Sequence, residues 1–192
     1  APGAIERVRI DPETLEPRFR VIGCELWSDD PDFAEKSARV GVSGICGSGI
    51  IEVIAEMYLS GVIDEDGVIG PIVGKSTDRI VVDGRTYSYV IREGDRSIRI
   101  TQNDVRAIQL GKAALHAGTR LLLDYMGIDK VDRIGLAGAF GSHIDVKYAM
   151  VLGMIPDCNL DNVGSVGNAA GTGARIALLN FPSRREISEI LP

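Results

Sequence analysis

"GICGSGIIEVIAEMYLSG", residues 44–61, joins a glycine-rich turn to an amphipathic run. Ile50, Val53, Ile54, Met57 and Tyr58 fall at i, i+3, i+4, i+7 and i+8, the spacing of a helix with one apolar face. Gly61 is placed to end it in the left-handed conformation that glycine tolerates. Upstream of the helix, Gly44, Gly47 and Gly49 allow close backbone approach, and Ser48 offers a hydroxyl. A helix that starts here presents its first amides unpaired, with a dipole that favours an anion, which is the physics of a phosphate site. The same glycines serve equally well as a tight turn out of a strand. Their spacing, G-x-x-G-x-G, is not the G-x-G-x-x-G of dinucleotide-binding turns. Cys46 sits where a thiol pKa tends to fall, but a lone cysteine here reads first as a small packed residue.

A second glycine bend lies at "LAGAFGSHID", residues 136–145. An apolar strand, "VDRIGLA", runs into Gly138, Ala139, Phe140 and Gly141, and Asp145 can cap the helix that follows. Strand ends of this kind are where α/β folds place ligands. Small residues let a flat ring lie against backbone, with Phe140 packed beneath it. His143 has no visible carboxylate or nucleophile partner and is not assigned as a base. A third run, "GNAAGTGARIALL" (167–179), starts a helix at Asn168, and its small residues fit close helix-on-sheet packing. "GPIVGKST" (70–77) imitates a phosphate loop but has three residues between its glycines instead of four. A β-like segment also follows where a helix is required; it reads as a surface turn.

Outward from these stretches, "AIERVRID" and "RFRVIG" read as strands, and "WSDDPDFAEKSARVGVS" as a surface loop. "VVDGRTYSYVI" reads as two strands around an Asp83-Gly84 hairpin turn. "SIRIT" adds a third strand after the turn at Glu93-Gly94-Asp95. A long helix is expected from about Gln102 to Met126, with Thr101 as cap and Asp104 in the first turn. Positions 108, 115 and 122 should form its buried stripe. Ala107, Gly111, Ala114 and Gly118 form a second stripe of small residues, which reads first as simple core packing and otherwise as a place where a neighbouring backbone comes close. Gln109 and Lys112 read as a solvated helix face. "DVKYAMVLGMIP" is a short helix stopped by Gly153 and Pro156, "NVGSV" a short strand, and "SRREISEIL" one or two amphipathic turns.

The chain has 192 residues, 45% hydrophobic and 25% charged, the mix of a globular domain with its own core. A net charge of −6 argues against a general nucleic-acid binder. Cys24, Cys46 and Cys158 lie far apart with no Cys/His cluster. This argues against a local metal site and for a reducing cytoplasm. No apolar run approaches a membrane span. The start at Ala1-Pro2-Gly3, without Met, suggests a fragment or a processed piece. The expected fold is α/β, a single domain over 1–192 with a hairpin insertion at about 78–101.

In this order and spacing, "APGAIERVRID", "GICGSGIIEVIAEMYLSGVIDEDGVI", "ITQNDVRAIQLGKAAL", "LAGAFGSHID" and "VGNAAGTGARIALL" resemble the C-terminal half of the ATP-dependent reductive activators of corrinoid proteins. The resemblance covers essentially the whole chain. These activators are iron–sulfur proteins with a domain of the acetate-and-sugar-kinase, heat-shock-70 and actin superfamily. It implies a ribonuclease-H-like lobe, a mixed sheet flanked by helices. It also implies ATP with Mg as cofactor, a [2Fe–2S] cluster in an N-terminal domain absent from this sequence, and a corrinoid protein as partner. A homodimer is compatible with it. The activity implied is reduction of cobalt(II) to cobalt(I), with this chain supplying the adenosine side of the cleft and part of the partner surface, and inactive by itself. By the resemblance, Gly44, Gly47, Ser48 and Gly49 form the glycine loop near the nucleotide. Gly138, Ala139, Phe140 and Gly141 form the adenosine motif, where Ala139 replaces the usual second glycine. The metal-holding carboxylates would lie upstream, so no catalytic residue is assigned. A non-catalytic interaction module and a small-molecule kinase with the same architecture are the alternatives.

Overall fold

The chain opens with β1 (Ala4–Ile10), which turns back antiparallel into β2 (Pro17–Val21). The computed structural model describes residues 1–94, 96–138 and 140–190. Alternation places Val8 and Ile10 of β1 in the core and leaves Arg7 and Arg9 half-buried on the other face. Asp11 organises the β1–β2 turn: its carboxylate accepts the amides of Glu13 (2.9 Å) and Thr14 (2.8 Å). These bonds hold its carboxyl below the ordinary range. Leu15 has φ 60, a left-handed conformation costly for a γ-branched residue, yet its side chain is fully buried. The Tyr89 hydroxyl donates to the Leu15 carbonyl at 2.8 Å, so burial and this bond together hold the turn.

The segment read as a surface loop contains a short helix, α1 (Phe33–Ser37). Phe33 is buried and meets Phe19 edge-to-face, with centroids 5.8 Å apart and planes at 88°. A single aromatic in an acidic stretch is a weak sequence signal; the partner ring that makes it an anchor is remote in sequence. β3 (Gly44–Ile45) then pairs parallel to β1 over only Ala4 and Ile5, giving the sheet order β2-β1-β3. The chain passes directly into α2 (Gly47–Ser60), which ends at Gly61 with φ 81, as the sequence indicates.

β4 (Ile80–Asp83), β5 (Thr86–Arg92) and β6 (Ile98–Thr101) form a separate antiparallel sheet. Asp83 pairs with Thr86, so the two-residue loop is Gly84-Arg85, one position later than the Asp83-Gly84 expected. Gly84 takes φ 63, and the Asp83 carboxylate is engaged by the Ser88 hydroxyl (2.5 Å) inside the ladder. Asp95 lies outside the described residues. Tyr89, Ile91 and Ile100 join Ile5, Val8, Val53, Ile54 and Met57 in one core.

α3 (Gln102–Met126) starts with the anticipated cap: Thr101 accepts from the Asp104 amide, and the Asp104 carboxylate accepts from the Thr101 amide at 2.8 Å. The expected 108/115/122 stripe is covered only at its start, where Ile108 is half-buried against the core. Among the described residues of α3 only Val105 is buried; Leu115 and Leu122 are 50% and 64% exposed. Added methyl groups at Gly111 and Gly118 would meet no atom within 4 Å, so no backbone packs against that face. Periodicity reports which face can be buried, not that a partner is there. Gln109, read as solvated, donates to the Asp66 carbonyl (2.9 Å) and closes the preceding turn.

β7 (Ile134–Ala137) and β8 (Val163–Gly167) form a two-stranded parallel sheet. Between them lie a short turn at Phe140–Ser142, α4 (Val146–Val151) capped by Asp145, and a turn at Leu160–Asn162. α5 (Ala169–Leu179) is capped by Asn168 as expected, and α6 (Phe181–Ile190) is longer than the one or two turns foreseen. Neither buries a residue, so the close sheet packing expected of α5 is absent among the described residues. The mixed α/β architecture is as expected, with its strands distributed over three short sheets. None of the described helices is long and apolar enough to cross a membrane.

Burial raises the Tyr89 phenol well above its ordinary value of 10.0, and burial followed by the bond to Glu56 raises Tyr148 likewise. An unfolded chain releases these protons near pH 10 while the folded one keeps them. Both contributions are therefore intact at neutral pH and are lost as pH rises above about 10. Denaturant unfolding between pH 8 and 11 should show stability falling at the alkaline end, with a shallower fall in Tyr89→Phe. The same variant should be about 1 kcal/mol less stable at pH 7 through loss of the bond to Leu15.

Candidate functional site

The turn before α2 is built around close approach. Gly49 stands against β1: a methyl group there would lie 2.4 Å from the Ile5 carbonyl oxygen. The Cys46 amide donates to that same oxygen (2.9 Å), and the Ile50 amide makes the first helical bond to the Cys46 carbonyl (3.0 Å). Cys46 occupies the N-cap but makes no side-chain capping bond. The amides of Gly47, Ser48 and Gly49 therefore have no partner within the helix and no side-chain cap, which suits an anion. The residues quoted for this turn divide by role. Gly47 is exposed, and Gly44, paired with Ala4 in the sheet, is half-buried with open space where a methyl group would stand. Ser48 is buried with its hydroxyl 3.1 Å from the Cys46 thiol, and Gly49 is buried against β1. Both serve the turn itself, and the Ser48 hydroxyl is not offered to solvent.

The second bend follows β7. Gly138 has φ 107, its amide donates to the Gly167 carbonyl (2.8 Å), and a methyl group there would meet nothing within 4 Å. This leaves a bare backbone surface of the kind a flat ring can approach. Gly141 fits tightly over Leu136, where a methyl group would stand 3.2–3.3 Å from its atoms. Ala139 and the Phe140 side chain lie outside the described residues. Ser142, just beyond, has its hydroxyl 3.1 Å from that of Ser165 on β8.

A buried polar network joins α2, β1 and the start of α4. Glu52 and Glu56 are one turn apart on α2 and are 1% and 8% exposed. They face the stretch of β1 that β3 leaves unpaired. Glu52 accepts the Val8 amide (3.0 Å) and Glu56 the Ile10 amide (3.0 Å), so helix spacing of four residues matches strand spacing of two. A register irregularity between Ile5 and Arg7 precedes this edge: the Ile5 carbonyl faces β3, and the even-numbered amides beyond it face α2. Glu52 also binds the guanidinium groups of Arg7 (2.9 Å) and Arg9. The second carboxylate oxygen of Glu56 accepts from the Tyr148 hydroxyl on α4. The Arg7 guanidinium lies 3.9 Å from Asp145, whose other oxygen caps α4 by accepting the Lys147 amide (3.0 Å). Burial opposes the charge on Arg7, but the bond to Glu52 and the nearby carboxylates outweigh it and raise its pKa. Arg9 stacks on Tyr148 with its guanidinium 5.0 Å from the ring centroid.

The helices that follow the two bends thus share one guanidinium, which Glu52 of α2 binds and Asp145 at the start of α4 approaches. Sequence reasoning identified the bends and the Asp145 cap but not Arg7, Glu52, Glu56 or Tyr148. The available signal was a pair of glutamates at i, i+4 within an otherwise apolar helix. Two larger cavities lie elsewhere. One of about 630 Å³ is bounded by His116, Arg120, Lys130, Asp157 and Cys158, and one of about 400 Å³ by Leu115, Ile134, Leu136, Ile144 and Met154; the turn at 44–50 lines neither, while Leu136 and Ile144 from the second stretch line the smaller. Among the described residues no three His, Cys, Asp or Glu side chains come together to hold a metal.

Gly49→Ala drives a methyl group into backbone and should lower the melting temperature markedly, whereas Gly44→Ala, with open space, should leave it nearly unchanged. Glu52→Ala should destabilise the chain by about 3 kcal/mol in denaturant titration, because Arg7 and Arg9 lose their buried counter-charge while still reaching solvent.

The family described as "C-terminal domain of RACo the ASKHA domain" matches residues 1–192. A corrinoid activation enzyme, RamQ of Eubacterium limosum, is 38% identical over 83% of this chain, which spans 28% of that relative's length. A solved structure of a reductive activator for a corrinoid, iron–sulfur protein superposes with a TM-score of 0.76 and 33% identity, covering 99% of this chain and 29% of that one. The chain belongs to the family of C-terminal ASKHA domains of RACo.

Proposed function

We propose that the protein carrying this chain activates a corrinoid protein by ATP-dependent reduction of cobalt(II) to cobalt(I), in the cytoplasm. The observation that carries this reading is the likeness, along nearly the whole chain, to proteins named as corrinoid activators. The residues present fit an adenine nucleotide: uncapped amides at Gly47–Gly49 suit phosphate, and the bare backbone at Gly138 suits the adenosine face. In this reading Mg and a [2Fe–2S] cluster are held by residues outside this chain; among the described residues no three His, Cys, Asp or Glu side chains gather.

In this reading one electron, delivered by a carrier outside this chain, converts cobalt(II) to cobalt(I). When bound, ATP supplies the free energy that favours the arrangement in which transfer occurs. This chain contributes binding and orientation. The α2 amides hold an anionic oxygen, the Gly138 bend receives the ring, and part of the remaining surface meets the corrinoid protein. Nothing in the chain's own chemistry calls for proton transfer at these positions.

The test is optical. Under anaerobic conditions the protein carrying this chain, a low-potential reductant and a corrinoid protein are mixed with and without ATP, and cobalt(I) absorption is followed. Growth of the cobalt(I) band that depends on ATP is expected; equal growth without ATP would remove the mechanism.

A further inference from the structure

We propose that Tyr148–Glu56 and Glu52–Arg7–Asp145 together form a brace that sets the separation of the two glycine bends, and so makes them one site for a ligand that spans both. The inference deepens the nucleotide reading above and rests on it. Its starting point is a gap in the backbone framework. One bend leads from the β2-β1-β3 sheet into α2 and the other leaves the β7-β8 sheet, and no described ladder joins these sheets. Their spacing is therefore not fixed by backbone hydrogen bonds. Apolar contact between α2 and α4 holds them near each other but is not directional.

The polar network is directional. Glu52 lies five residues into α2, roughly 7.5 Å along its axis from Gly47, and Glu56 one turn further. On the other side, Asp145 follows Gly141 by four residues and caps α4, and Tyr148 sits in the first turn of that helix. Each end of α4's first turn is thus tied to α2, once through the phenol and once through Arg7. Both carboxylates of α2 are anchored in turn to β1 amides, so they cannot swing. Tyr148 is buried, and its ring is also held by Arg9. The arrangement favours a ligand whose two ends match the separation, and gives no advantage to either end alone.

Tyr148→Phe keeps the ring and its stacking and removes only the bond to Glu56. Asp145→Asn keeps the helix cap and removes the charge facing Arg7. In the protein carrying this chain, affinities for ATP, adenosine and tripolyphosphate are measured by calorimetry for wild type and both variants. Tyr148→Phe should weaken ATP about tenfold while adenosine and tripolyphosphate stay within about twofold, and Asp145→Asn should shift in the same sense by a smaller factor. A general loss of structure would weaken all three ligands together; that result, or unchanged ATP affinity in both variants, overturns the brace. A wild type that binds no ATP overturns the nucleotide reading and the brace with it, and is recognised before any variant is compared.

Discussion

Glu52 and Glu56 take the place of a strand along the open edge of β1. β3 pairs with β1 for only two residues, and beyond it the Val8 and Ile10 amides would face the interior unbonded. An unsatisfied buried amide costs about 1–3 kcal/mol. Two carboxylates spaced one helical turn apart satisfy both, and the arginines and the phenol that surround them compensate their charge. From this follows the position of α2 against β1, and from that position follows the demand for glycine at 49, where a single methyl group would meet the Ile5 carbonyl. The glycine turn is therefore partly a consequence of close helix-on-strand packing and only partly a surface for a ligand. Gly47 is its exposed glycine.

The same network explains why α4 is placed as it is. α4 is only six residues long, and Tyr148 and Ala149 are its buried residues. Tyr148 reaches α2 through its phenol, and that phenol and the Asp145 cap both end in polar partners near β1. A network of charges this deep brings little net stability over apolar side chains of the same volume. Its value lies in fixed geometry, because a carboxylate that accepts from an amide and a guanidinium has few alternative positions.

Much of the local structure was legible in the sequence. The Thr101/Asp104 cap, Asp145, Asn168 and the terminator Gly61 act through bonds within a few residues, so their chemistry is written locally. What depended on remote partners was not. Phe33 became a core residue through Phe19, and Leu115 and Leu122 stayed exposed because the core covers only the first turns of α3, at Val105 and Ile108. The hairpin loop moved by one residue because Asp83 finds its partner in Ser88 inside the ladder. Glu52 and Glu56 resemble an ordinary solvated pair until β1 is seen beside them. Of the site residues, Gly47 is exposed and Gly138 has open space beside it, while Ser48 and Gly49 are turned to packing. The order of the motifs along the chain carried the family, though no one of them would.

The central claim is that the bends at Gly47 and Gly138 face one ligand. Hydrogen–deuterium exchange on the protein carrying this chain, with and without ATP, tests it most directly. Peptides covering residues 44–50 and 135–142 should both gain protection in the presence of ATP. Protection of only one of them, or protection confined to the segments around His116 and Cys158, would contradict the account.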